Sequence, residues 1–275
     1  MSGSEGNDLP VICSFWHGPL GWLERLCLSS FAEQGHRVDL YAYDRPDDLP
    51  AGINWRDAGE VTGRDRMFFY KDNRSPAVFS DLFRLELLKR GAGLWADCDM
   101  LCIRPFAGLS DHVYGIAEDP GWRNLWRAEI NNAVLGLPAD SPVLAAMLAL
   151  FDSDAIPPGV PFWRRAEIGL RKAFGQNVPL HHMQFGVTGP APLTHFLRQQ
   201  GLIGRAQPCD VFYPLGYGRA ADLLEPGTGI EGVVTERTLG VHMWRSALTG
   251  RGSSELRAPA PGSFFAQELA KRGLD

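Results

Sequence analysis

Two carboxylates two residues apart, Asp97 and Asp99, follow the apolar triplet Leu94-Trp95-Ala96, with Met100 directly after them. On an extended chain residues two apart share a face. Alternation therefore aims Asp97 and Asp99 at one spot and turns Cys98 away. Converging carboxylates repel each other unless a cation lies between them. Hard oxygen donors of this kind suit Mg²⁺ or Mn²⁺, ions that often bridge protein carboxylates to substrate phosphates. In open α/β sheets, ligands bind beyond the carboxyl ends of strands, which is where this motif falls. A polar strand end is the plainer reading of the same residues. Upstream, Asp81 and Arg84 are three residues apart in an apolar segment, so a helix puts them on one face. They can pair with each other or face a polar ligand.

The elements that position these groups follow from periodicity. Residues 10–16 read as a buried strand, and Leu20 to Gln34 has helical apolar spacing ended by Gly35. Val38 to Tyr43 alternates as a second strand. Such a β-α-β opening predicts a parallel pair within an α/β fold. Residues 53–58 form a short strand, and 59–75 an irregular loop. Ala77 to Arg90 is apolar nearly all round, which predicts a buried helix, closed by Gly91 and Gly93. Leu94 to Ala96 is a strand, and Met100 to Ile103 continues it. Further strands are expected at 113–117 and 133–137, and helices at 142–151, 162–174, 192–200 and 264–272. The expectation is a single domain over 1–275, with 1–8 flexible and 152–200 a helical insertion in a mixed sheet flanked by helices.

Composition narrows the function. The net charge of -5 argues against a nucleic-acid partner. Arg164-Arg165 and Arg171-Lys172 read as a solvated helix face. The 5 cysteines are odd in number and lack CxxC spacing, as expected of buried thiols in a cytoplasmic protein. The polar start is no signal peptide, and no apolar run approaches the roughly 18 residues that cross a bilayer.

The order of motifs carries a resemblance. Phe79-Ser80-Asp81-Leu82-Phe83-Arg84, then Gly91-Ala92-Gly93-Leu94-Trp95-Ala96-Asp97-Cys98-Asp99-Met100, resembles the sugar-binding region of glycosyltransferases that carry an Asp-x-Asp motif. The family 32 group is the nearest in pattern; it includes capsular polysaccharide transferases and fungal initiating mannosyltransferases. The glucosylating clostridial toxins share the segment. The usual Gly-Gly turn departs here at Ala92. The resemblance implies a GT-A-type, Rossmann-like fold and metal-dependent, retaining transfer of a hexose from a UDP-sugar. The acceptor would be a glycan, a lipid-linked glycan or a small molecule, and a lipid acceptor would bring peripheral membrane contact. A GDP-mannose-dependent transferase and a catalytically silent sugar-nucleotide-binding protein are the alternatives. A nucleotidyltransferase would show a basic phosphate loop, and residues 13–22 lack Lys and Arg.

Residue by residue, the resemblance assigns the cation to Asp97 and Asp99, with Asp99 the more direct ligand and His242 of Val241-His242-Met243-Trp244 a third. Asp81 and Arg84, with Ser80 beside them, match residues that contact the donor sugar. Trp16 matches an aromatic residue on the nucleobase, and His17 a nucleotide contact. Asn131-Asn132 matches a polar amide facing the donor sugar, and Asn132 joins Asp97 and Asp99 as a catalytic candidate. An Asn pair also forms turns. Thr188-Gly189-Pro190 reads as acceptor-side scaffold, and His181-His182 as structural. An inverting reaction would need a carboxylate base, for which Glu118 and Asp119 are candidates.

Overall fold

The computed structural model describes residues 9–70, 75–118, 129–183, 186–250 and 253–274. The expected flexibility of residues 1–8 concerns a segment outside these. β1 (Ile12–Phe15) is buried along its length, and α1 (Trp22–Glu33) returns the chain to β2 (Val38–Ala42). The two strands pair in parallel, Ile12 opposite Val38, and β3 (Ile53–Asp57) extends the sheet beyond β2. α2 (Ala77–Lys89) then carries the chain back, and β4 (Leu94–Ala96) lies in parallel on the other side of β1, Ile12 opposite Leu94.

β5 (Met100–Cys102), β6 (Val113–Ile116) and β7 (Ile130–Gly136) follow. A helical stretch comes next: α3 (Pro142–Ala149), α4 (Phe162–Ala173), α5 (Pro190–Gln199) and the short α6 (Cys209–Phe212). β8 (Gly240–His242) and α7 (Phe264–Arg272) close the chain. The main sheet has the order β3-β2-β1-β4-β7-β6, and β7 runs antiparallel to both neighbours. The fold is α/β: a mixed six-stranded sheet with helices on both faces. Phe15, Phe79, Phe83 and Trp95 pack on one face, and Leu28, Phe31, Leu40 and Phe106 on the other.

Two local expectations are corrected. β5 does not continue β4. The Met100 amide donates to the Asp97 carbonyl at 3.0 Å, a tight turn that swings the chain out of the main sheet. β5 instead pairs antiparallel with β8 in a separate two-stranded sheet. The alternation argument for Asp97 and Asp99 therefore fails, because neither residue lies on a strand. Strand β7 also starts earlier than its apolar pattern indicates. Asn131 and Asn132 are buried inside it, their turn preference overridden by pairing with β6.

The glycine turn ahead of β4 has a steric cause. Gly93 has φ +152°, and a Cβ there would lie 2.3 Å from the carbonyl oxygen of Val11, the residue just before β1. Gly91 also has a positive φ, whereas Ala92 between them does not. The departure from Gly-Gly falls at a position that needs no glycine. The five cysteines form no disulfide among the described residues, and no helix among the described residues is long and apolar enough to cross a membrane.

His36 ties the amino ends of β1 and β2 to the loop after β5. Its Nδ1 lies 2.9 Å from the Pro10 carbonyl, and its Nε2 accepts from the Phe106 amide at 2.9 Å. That pair of partners requires the neutral ring with the proton on Nδ1. Burial lowers its pKa from 6.5, partly offset by the Pro10 hydrogen bond. A lowered histidine stabilises the fold fully above 6.5, and that share is lost as pH falls through the folded value. Urea midpoints measured at about pH 7.5 and about pH 5.5 are expected to fall less in His36→Gln than in the wild type. An equal fall would remove His36 from the acid response.

Candidate active site

The strand order reverses beside β1. The chain runs outward from β1 through β2 to β3, then comes back to place β4 on the opposite flank. Such a switch point leaves a crevice beyond the carboxyl ends of the two central strands. Trp16 leaves β1 at this crevice and Asp97 leaves β4. The two ends are held together by Ser14 Oγ, which donates to the Ala96 carbonyl, and by Cys98 Sγ, which donates to the Phe15 carbonyl.

The turn after β4 presents both carboxylates, and the β5–β8 pair supplies the histidine. Met100 lies opposite His242, and the Met243 amide donates to the Asp99 carbonyl at 2.9 Å. This register sets His242 Nε2 3.2 Å from Asp99 Oδ1, while the Arg245 amide donates to Asp99 Oδ2 at 2.8 Å. One ligand atom from each of Asp97, Asp99 and His242 falls within 4.8 Å of the others. Ligands about 2.0–2.6 Å from an ion can be no more than about 5 Å apart, so the donor set fits a divalent cation. His242 Nδ1 is buried with no hydrogen-bond partner among the described residues. A buried polar atom of this kind is uncommon in a finished core.

The charges answer to that geometry. Burial pushes the Asp97 carboxyl up and Asp99 adds to the rise, against the pull of Arg84. Burial acts on Asp99 too, but His242 and the Arg245 amide outweigh it and hold its carboxyl low. Burial would lower His242, yet Asp99 beside it raises the ring above its usual value. The three groups favour a positive charge at their centre.

A second polar cluster adjoins the first through Arg84. Its Nη2 lies 3.4 Å from Asp81 Oδ1 and 3.3 Å from Asp97 Oδ1, and its Nη1 donates to the Asn132 carbonyl. The guanidinium also sits 4.8 Å from the Trp95 ring centre, a cation–π distance. Asn132 Nδ2 donates to Asp81 Oδ1 at 2.9 Å, and Thr188 Oγ1 donates to Asp81 Oδ2 at 2.7 Å. Trp95 Nε1 donates to Asp97 Oδ1 at 2.7 Å. Gly189, capping α5, passes so close that a Cβ there would lie 3.0 Å from Asn132 Nδ2. The anticipated Asp81–Arg84 pair exists, within a wider buried network.

Other candidates divide by position. Trp16 is half-buried at the crevice mouth, its indole N–H donating to the Pro19 carbonyl and its ring facing Arg245 at 5.4 Å. Beside it lies a cleft of about 200 Å³ between the loops after β1 and β2, lined by His17, Tyr43 and Asp44 among others. His17 is exposed, with Phe69 5.6 Å away. Ser80 meets Arg84 through its backbone carbonyl. Asn131, adjacent to Asn132 on a strand, turns its Oδ1 to the Ala133 amide at 2.8 Å instead of toward Asp81. Glu118 is exposed at the end of β6, and Asp119 lies outside the described residues.

Sequence reasoning missed three participants, Glu24, Trp95 and Arg245, and read Thr188 as acceptor-side scaffold, whereas its hydroxyl holds Asp81. Arg245 Nε donates to Glu24 Oε1 at 2.6 Å, and Glu24 Oε2 accepts from the Gly21 amide at 2.8 Å. Glu24 is fully buried. A carboxylate on the apolar face of Trp22-Leu23-Glu24-Arg25-Leu26 was a legible signal for a buried partner. No local pattern marks Arg245.

No protein-family model matches the chain, and no curated protein matches it. Among solved structures it is similar to one described as "PaToxG Glycosyltransferase", at 15% identity over 70% of each chain and a TM-score of 0.42.

Proposed function

We propose that this chain is a glycosyltransferase that takes a sugar from a nucleotide-sugar donor with the help of a divalent cation. One observation carries the reading: Asp97, Asp99 and His242, which together could hold a cation, meet at the sheet's switch point beside a buried Asp81–Arg84–Asn132 network. The motif order from Phe79 to Met100 adds its resemblance to sugar-nucleotide transferases. A bound cation would neutralise the donor's diphosphate and ease its departure. Imidazole beside two carboxylates favours Mn²⁺ over Mg²⁺, and Asp99 is the more direct ligand.

The chain's own groups do the positioning. Asp81 and the Asn132 amide address sugar hydroxyls, with Ser80 at the edge and Arg84 holding both in place. Trp16 stacks on the nucleobase for about 1–3 kcal/mol, and His17 borders the nucleotide. The donor is a UDP-hexose, with GDP-mannose second, and configuration is retained. The 152–200 region forms the acceptor side, for a glycan, lipid-linked or small-molecule acceptor. Cysteines that form no disulfide among the described residues suit work in the cytoplasm.

A thermal-shift screen of UDP- and GDP-sugars with and without Mn²⁺ tests this. One base should stabilise the protein only with metal, by about 2.7 kcal/mol at about 100 times its dissociation constant. A response to GDP-mannose alone moves the assignment to mannosyl transfer, and binding without turnover to a silent receptor. If no nucleotide sugar responds, or if chelator leaves the response intact, the proposal fails.

A further inference from the structure

Helix α4 presents its apolar face outward. Only Ile168 among its residues is buried. Phe162 is 84% exposed, Trp163 58%, Leu170 60%, and Phe174, which ends the helix, 78%. Phe162, Ala166, Leu170, Ala173 and Phe174 fall at helical spacing, and Trp163 widens the stripe. Ordinary surface helices turn such a stripe toward the core; this one turns it to solvent, across several large side chains at once.

Charge says what would cover it. Arg164, Arg165, Arg171 and Lys172 flank the stripe, with Glu167 the lone carboxylate of the helix, on a chain whose net charge is -5. Four cations around an exposed face disfavour a two-fold contact, which would set like charges against each other. The same cations complement an anionic surface. Trp, Phe and Leu on one side with Arg and Lys beside them is the composition of a helix that lies in a bilayer interface. Arg165 and Lys172 also donate to backbone carbonyls of residues 154–157. These bonds fix α4 to its own loop, and Ile168 anchors it on a small cluster with Val160, Val178 and Val187. The apolar stripe is thus held outward by the fold.

We propose that α4 docks this protein on an anionic lipid surface, inserting Phe162, Trp163, Leu170 and Phe174 below the headgroups. The segment that carries α4 is tied back to the main domain where Thr188 donates to Asp81. The proposal concerns the helix alone and stands whether or not the chain transfers a sugar.

Co-sedimentation of the full chain with vesicles tests it. Binding is expected to vesicles containing phosphatidylglycerol and not to pure phosphatidylcholine. The combined Phe162→Ser, Leu170→Ser and Phe174→Ser variant, altered only at exposed positions, should keep its melting temperature. It should lose at least about a hundredfold in vesicle affinity. Arg171→Gln with Lys172→Gln should weaken binding about 25-fold, about fivefold per charge, with the loss shrinking in high salt. Absence of wild-type binding, equal binding to both vesicle types, or retained binding by the serine variant overturns the proposal. So does a wild-type dimer that the serine variant turns into a monomer, which would give the face to a second copy.

Discussion

Arg84→Met is expected to cost the fold about 3–5 kcal/mol, the range for breaking a buried charge cluster by removing one partner. The side chain of Arg84 is 6% exposed and that of Asp81 11%, so water cannot take over the role of the guanidinium. Asp97, at 27%, is more open and contributes less. Removing Arg84 leaves Asp81 with the Asn132 amide and the Thr188 hydroxyl, two neutral donors for a buried negative charge. It also leaves the Asn132 carbonyl without its donor. Adding Asp81→Asn should recover part of the loss, because the stranded charge goes with it. Urea unfolding of the two single variants and the double variant measures both quantities. A loss under about 1 kcal/mol for Arg84→Met, or simple additivity in the double variant, would show that the cluster is screened by solvent.

Asp99→Asn should weaken Mn²⁺ binding by more than about 100-fold, beyond the 10–100-fold typical of residues that only support a ligand. The amide keeps the shape and can still accept from the Arg245 amide through its oxygen, so the turn survives. What is lost is the charge that partners the His242 ring and converges with Asp97 on one point. Titration calorimetry with Mn²⁺ alone reads the effect without assuming a reaction. His242→Gln should weaken binding less, since both carboxylates remain. If Asp99→Asn binds Mn²⁺ as the wild type does, the cation is not held at this turn.

Local physics made much of this legible in one dimension. The β1-α1-β2 opening, the buried α2, the glycine turn and the Asp-x-Asp motif each depend on spacings within a few residues. Periodicity of apolar residues and the freedom of glycine act over that range. Ala92 shows the limit of reading a motif letter by letter. Gly93 carries the steric demand, through a Val11 carbonyl that comes from a segment some eighty residues earlier.

What the tertiary structure decided is how the candidate ligands meet. Alternation along a strand was the wrong reason for Asp97 and Asp99 to converge; a turn does it, because β5 leaves the main sheet to pair with β8. His242 reaches Asp99 through that register, and Thr188 reaches Asp81 across 107 residues of chain. The outward face of α4 was likewise invisible, since its spacing is equally that of a helix packed on a core. The sequence by itself determined the fold class, the buried helix and the acidic motif, because these rest on local propensity and hydrophobic period. Only the folded chain decided which distant side chains complete the site and which apolar face stays in water. Backbone pairing is made by groups common to nearly every residue and leaves little mark on residue type.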